Sequence, residues 1–435
     1  MHIRFICKFI GISIFAGGVA SAAPSAFKVD IERVVNSSTP LPNDQNLNFD
    51  SIDPGSIVTL DNEVVFSNFS TDFFGNPSKN GLYRSANGKI ELLAATGEQP
   101  FKSGAAFDES YTAGGPTVFR ALTSTAGSPV SSIWISDAGS LTNIVPIGAE
   151  LPDGAGSASF LSFPRISGND VVFSGIGNSR QSRIYRTSTN GAPLTSVIDE
   201  NTGPEFDNVF LDIGDFQNDQ FVFRTFDTVF ASSTGVYAGD LDGNTTEISR
   251  AGDPVPNQPD FEFFRYGGDT TYPSMDNGRI AFTGQGFSTV EPGVGSQGIY
   301  TTSITGDSLE VVVDNNTILP NDNGVSTAFG APSISGDNVA FIGVGNGSRG
   351  KADFVSINGV IVDIIHVGDM LDGRIVSNVL SGSFALNGNQ LAFTVDFTNG
   401  DSGLYMATII PSPGAATVVA LGGVLAARRR RSVGR

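Results

Sequence analysis

The chain has 435 residues, a formal charge of −19, 40% hydrophobic and only 16% charged residues, and 53 glycines beside 33 phenylalanines and one tryptophan. That mixture excludes a disordered chain, a coiled coil and a multi-span membrane protein, and suits many short strands joined by tight turns. The acidic balance repels phosphate backbones and argues against nucleic-acid binding, and with Cys7 as the only cysteine and His366 as the only histidine beyond His2, thiolate and multi-histidine metal chemistry is removed from the body.

Residues 1–22 predict a cleavable export signal. Arg4 and Lys8 precede an apolar stretch from Phe9 to Val19, and Ala20-Ser21-Ala22 supplies the small residues a signal peptidase requires. Lys8 leaves the apolar run too short to cross about 30 Å of hydrocarbon.

From residue 24 to 410 one unit recurs seven times. Its marker is the segment Ile166-Ser167-Gly168-Asn169-Asp170-Val171-Val172-Phe173, echoed by Ile334-Ser335-Gly336-Asp337-Asn338-Val339-Ala340-Phe341. The marker phenylalanines are Phe66, Phe119, Phe173, Phe223, Phe282, Phe341 and Phe393. Each is followed 12 to 18 residues on by a second aromatic: Tyr83, Trp134, Tyr185, Tyr237, Tyr300, Phe354 and Tyr405. Four of these close a Gly-x-Tyr triplet, as in Gly81-Leu82-Tyr83. Alternating residues predict strands, and Gly-Asn or Gly-Asp pairs predict the hairpin turns between them. Four strands in about 50 residues is the size of a propeller blade. Fold class is therefore all-β, a seven-bladed β-propeller of four-stranded blades, with an open solenoid or tandem sandwiches as the alternatives. The recurrent aromatics read as inter-blade core.

The seventh unit lacks a fourth strand. Ile31-Glu32-Arg33-Val34-Val35-Asn36 followed by Leu41-Pro42-Asn43 repeats the pattern of Leu309-Glu310-Val311-Val312-Val313-Asp314 followed by Leu319-Pro320-Asn321. The N-terminal strand is expected to complete the last blade and close the ring, which removes two open sheet edges.

Few residues in the body carry chemistry. Asp240-Leu241-Asp242-Gly243-Asn244 resembles a short calcium loop through Asp240, Asp242 and Asn244, and reads equally as a hairpin turn. Repeated loops such as Leu319-Pro320-Asn321-Asp322 present the same pair of readings. His366, at the end of a strand, reads as a structural donor. The sequence holds no Gly-x-Ser-x-Gly elbow and no phosphate loop. An enzyme site would break the repeat with carboxylates peculiar to one blade, and Asp269 and Glu291, in the two longest intervals, are the first places to seek it.

The chain ends in Ile410-Pro411-Ser412-Pro413-Gly414, an apolar run Ala415 to Ala427, and Arg428, Arg429, Arg430 and Arg431. This tripartite tail resembles the PEP-CTERM sorting signals of Gram-negative bacteria, with Ser412 where that family usually has glutamate. The resemblance covers residues 410–435. It implies the export machinery and a membrane-embedded sorting protease as partners, recognition through Pro411, Pro413 and the arginines, and cleavage of the tail. A plain anchor through residues 414–427 as a transmembrane helix is the other reading, with the arginines cytoplasmic. The body resembles the exported propeller-like repeat proteins that carry such tails. The expected function is that of a non-enzymatic binding or scaffold protein of the cell envelope or extracellular matrix, taking a polysaccharide or protein ligand and no cofactor. A polysaccharide hydrolase or lyase with carboxylates at the channel, and a calcium-stabilised surface module, are the alternatives.

Overall fold

Seven antiparallel sheets follow one another along the chain in a computed structural model, each built from an inner strand, two middle strands and an outer strand. Residues 27–412 are described, apart from 43, 50, 61, 69–79, 102–104, 113, 126–127, 153, 179–181, 192, 200–208, 228–231, 268–270, 322–323 and 348–349. The export signal at 1–22, the apolar segment 414–427, Pro413 and Arg428 to Arg431 lie outside the described residues. Among those described, no helix is long and apolar enough to cross a membrane. The blades fall within a compact unit, Val29–Ile409.

Blades 1 to 6 span residues 58–95, 106–145, 160–198, 209–250, 258–314 and 324–366. Blade 7 takes its inner and middle strands from 374–411 and its outer strand from Phe27–Asn36, which lies beside Ser402–Pro411. The expected closure by the N-terminal strand is thus the observed one. The loop that follows confirms the repeat alignment. The Asn36 carboxamide accepts from the Ser38 amide and from the Thr39 hydroxyl, as the Asp314 carboxylate accepts from the Asn316 amide and from the Thr317 hydroxyl after the outer strand of blade 5.

The inner strands depart from a plain four-stranded blade. In blades 5 to 7 each is broken in two, as in Gln258–Tyr266 and Ser274–Asp276, and a two-residue strand flanks it, so these sheets count six strands. In blades 2 to 4 the same place is a register slip, between Asp108 and Tyr111, Ser162 and Arg165, and Ile213 and Asp215. A bulge turns the strand and re-aims the side chains that follow it, which here are the residues nearest the axis.

All seven marker phenylalanines sit directly opposite the second aromatic of their own unit, from Phe66 with Tyr83 to Phe393 with Tyr405. In five of the pairs the rings stack, with Phe223 and Tyr237 centroids 5.5 Å apart at 21°, and such pairs add about 0.5–1.5 kcal/mol beyond their buried area. Pairs pack against the neighbouring blade: Phe173 and Tyr185 share a cluster with Ile133, and Phe282 and Tyr300 with Val236. The Gly-x-Tyr triplet follows from this geometry. The tyrosine ring leans back over the glycine two residues earlier, so a Cβ on Gly81 would lie 2.5 Å from the Tyr83 hydroxyl.

Candidate functional site: the channel axis

The repeat also explains its own Ser-Gly marker. At the end of four inner strands a polar side chain accepts a hydrogen bond from the first turn amide of the next blade: Asn218 N to Ser167 Oγ (3.1 Å), Asn277 N to Gln217 Oε1 (3.2 Å), Gly336 N to Asp276 Oδ2 (2.6 Å) and Gly388 N to Ser335 Oγ (2.8 Å). The donor residues have φ between 49° and 59°, a conformation that Gly and Asn tolerate. These bonds tie blades 3 to 7 together around one mouth of the channel.

Below that mouth the symmetry fails. One inner-strand position, opposite the residue before the marker phenylalanine, is Val58 in blade 1, Ser274 in blade 5 and Ser333 in blade 6. In blades 2, 3 and 4 it is Tyr111, Arg165 and Asp215. All three are buried and they converge on the axis. Tyr111 Oη donates to Asp215 Oδ1 at 2.5 Å, and the carboxylate also accepts from the amides of Phe216 (2.8 Å) and Met275 (3.1 Å). Arg165 donates to the carbonyls of Gly214 (2.5 Å) and Pro164 (2.9 Å), with its guanidinium over the rings of Phe384 (4.5 Å) and Tyr111 (5.3 Å). Burial pushes the Asp215 carboxyl above its ordinary value, and the Tyr111 and Met275 hydrogen bonds pull it partly back. Tyr111, Asp215 and Phe384 line a polar cavity of about 330 Å³, with Gln217, Asn277 and Asn387 among its other walls.

Flanking this group, blades 2 and 4 carry matched cross-strand ion pairs. Arg120 grips Asp108 with two hydrogen bonds (2.8 and 2.6 Å), and Arg224 pairs with Asp212 (3.0 Å) and lies 4.8 Å from the centre of the Tyr272 ring. Glu109 sits in the blade 2 bulge at φ 49°, 2.9 Å from Arg120, and accepts from the Phe163 amide at 2.6 Å. Burial raises its carboxyl pKa, and the pull of Arg120 offsets only part of that.

A second break in the repeat lies between blades 6 and 7. The residue before the second aromatic is Leu82, Ile133, Ile184, Val236, Ile299 and Leu404 in six blades, all buried, and Asp353 in blade 6. Asp353 is wholly buried. The Ser381 hydroxyl and the Phe354 amide lie beside its carboxylate, yet neither oxygen closes a well-formed hydrogen bond. Burial pushes its pKa up to about 7, against hydrogen-bonding groups and Lys351, which lower it. The folded chain therefore holds a proton that the unfolded chain releases near pH 4, so stability falls as pH rises between about 4 and 7 and stays low above. The separation of those values corresponds to about 4 kcal/mol at neutral pH. Asp353→Val, which restores the residue class of the other blades, is expected to raise the melting temperature by several degrees at pH 8 and by little at pH 4. Thermal melts across that range check this, and an equal effect at both ends would refute the account.

The described residues singled out from sequence lie elsewhere. Asp240 caps its own hairpin: its Oδ1 accepts from the amides of Asp242 (3.0 Å) and Asn244 (2.9 Å), and its Oδ2 accepts from the Asn244 carboxamide (2.9 Å). Among the described residues no group of three or more His, Cys, Asp or Glu is placed to share a metal ion. His366 is buried at the end of the blade 6 outer strand, with Nδ1 2.6 Å from Asp369 and Nε2 3.3 Å from Asp363. Asp269 lies outside the described residues, and Glu291 is exposed in a hairpin. Among the described residues, the buried carboxylates at positions that carry no acid in the other blades include Asp215 in blade 4 and Asp353 in blade 6. Asp353 was open to discovery in the sequence, since it precedes a marker aromatic in the one unit with an acid there. Tyr111, Arg165 and Asp215 were not, because the bulges hide their equivalence.

No protein-family model matches the chain, and no curated protein matches its sequence. Solved structures with a similar backbone include the polysaccharide lyase Uly1 (TM-score 0.48, 14% identity, 84% of this chain and 91% of that one). Prolyl endopeptidases (TM-score 0.49, 13% identity) match over 84% of this chain, which spans 50% of theirs. The β-propeller domain of the Trilobed protease from Pyrococcus furiosus is similar at a TM-score of 0.42 and 11% identity, over 70% and 81% of the two chains.

Proposed function

We propose that the protein is an exported binding or scaffold protein of the cell envelope or extracellular matrix, and that its propeller takes a polysaccharide at the channel mouth without cleaving it. The observation that carries this is the commitment of the carboxylates there. Asp215 accepts three hydrogen bonds from the fold, and Asp276 accepts from the Gly336 amide and the Asn277 carboxamide. Hydrolysis of a glycosidic bond in most glycosidases uses a carboxyl group free to give or take a proton, whereas binding uses the amides and hydroxyls that line the rest of the cavity. The export part of the reading rests on the Phe9 to Val19 stretch with its Ala20-Ser21-Ala22 site and on the tail from Pro411 onward.

Glu109 favours the enzymatic alternative, a hydrolase or lyase, because a carboxyl whose pKa burial holds up is the form a general acid takes. A glycan array read with the purified protein, followed by product analysis on any glycan retained, separates the two. Binding without products is expected, and Asn387→Trp, which fills the mouth, is expected to weaken binding at that site at least about tenfold. Steady release of shortened glycan would establish the enzyme instead.

A further inference from the structure

Blade 5 holds residues in the open that its fold does not use. Its second strand, Arg279–Ser288, is ten residues long, against six in Glu63–Asn68 of blade 1. The added length carries Phe287, 50% exposed, and leads to Val290, 64% exposed. Phe264 is the extra residue of a bulge between Phe263 and Arg265 and is 44% exposed. The two phenylalanine rings meet at 4.7 Å and 40°, forming an aromatic platform in solvent. Exposed aromatics grouped in this way mark interaction sites.

A groove runs beside the platform towards blade 6. One stretch, about 490 Å³, is lined by Phe287, Gln285, Gln297, Asn315 and Thr327; the next, about 280 Å³, adds Phe261 and Asn316. Gly295, Ser296 and Asn315 border both. The larger stretch has no charged residue on its walls, in a chain with 44 acidic ones. Gly295 adds an independent observation. Its backbone is not left-handed, and a Cβ there would meet nothing nearer than the Phe287 ring at 3.7 Å. Glycine within a strand is destabilising by roughly 0.5–1 kcal/mol relative to alanine, and neither conformation nor crowding requires it here. Gly286 differs, since its Cβ would lie 2.7 Å from Val255. What Gly295 preserves is the open floor of the groove.

We infer that this groove is a second glycan site, taking a chain of uncharged sugars whose C–H faces stack on Phe287 and whose hydroxyls meet the flanking carboxamides and the Thr327 hydroxyl. The inference rests on the polysaccharide-binding reading and places the contact on the side of blades 5 and 6, apart from the channel. Two sites on one body would let the protein bridge polymer strands, and avidity then exceeds either affinity alone. The larger stretch is uncharged, the smaller one carries Asp260, and within the acidic surface around them this disfavours uronic acid polymers.

Affinity electrophoresis of the full chain tests this, in gels cast with soluble neutral β-glucan, neutral mannan or polygalacturonate. Retardation by a neutral polymer is expected, with none by polygalacturonate. Phe287→Ala and Gly295→Val should each weaken the groove's contribution about tenfold, the second without lowering the melting temperature. To isolate the groove, both are also made in the Asn387→Trp background, where the neutral polymer should still retard the protein. If neutral polymer retards the chain but neither groove variant changes this in either background, the groove is not the site and the channel reading stands. If no polymer retards the unmodified chain, the polysaccharide reading fails and the groove with it.

Discussion

Arg165→Ala is expected to be among the most destabilising single substitutions in the propeller, at about 3–5 kcal/mol. Three losses coincide. The carbonyls of Gly214 and Pro164 lose their donor, the Phe384 and Tyr111 rings lose the cation between them, and Asp215 is left as a buried carboxylate without its positive neighbour. Arg165→Met retains most of the volume and should recover the packing part only. Tyr111→Phe removes one hydrogen bond to a charged acceptor and should lower stability by about 1.5–3 kcal/mol. If the three side chains act as one unit, the double variant Tyr111→Phe with Arg165→Ala will fall short of the sum of the singles. Chemical denaturation of the four proteins measures this, and strict additivity would show that the axis residues stabilise their blades independently.

Removal of Phe27–Asn36 is expected to open the ring. That strand pairs with the edge of Ser402–Pro411, and its loss leaves the outward-facing backbone groups of that edge unpaired. It also removes Val35, which is buried, and cuts the chain directly before Ser37, whose amide donates to the Ser402 carbonyl at 3.0 Å. An exposed edge of that length recruits other chains, so the truncated protein should elute as oligomers or aggregates and melt in a broad transition. Supplying the strand as a separate peptide should restore a single species. A truncated protein that stays monomeric with an unchanged melting temperature would show that closure contributes little.

Much of this architecture was legible before any coordinates, for a physical reason. A propeller repeats one packing problem seven times, and each solution leaves the same mark. The marker phenylalanine must meet an aromatic across the hairpin, the hairpin turn must admit positive φ, and the tyrosine needs a glycine under its ring. Those requirements act between residues close in sequence, so they appear as spacing. Even the ring closure was readable, because Ile31 to Asn36 with Leu41-Pro42-Asn43 repeats Leu309 to Asp314 with Leu319-Pro320-Asn321, and the structure holds the two loops alike through Thr39 and Thr317.

The site was less legible because it depends on departures from the repeat. Tyr111, Arg165 and Asp215 are equivalent only when the bulges are counted, and no spacing reveals a bulge. Of the two acids singled out in the long intervals, Glu291 is exposed in a hairpin and Asp269 lies outside the described residues, while the added length of blade 5 carries an exposed aromatic platform. Asp240, expected as a calcium ligand or a hairpin turn, and His366, expected as a structural donor, both have local partners in the structure.

The chain by itself determined the number of blades, the strand order within each and the strand that closes the circle, since these follow from contacts within one repeat copied along the sequence. Only the tertiary structure decided which side chains meet at the axis, which acid is sealed between blades 6 and 7, and which face of blade 5 stays open. Those meetings join residues from different blades, and their distances are set by how each blade bulges and packs, which no periodicity records.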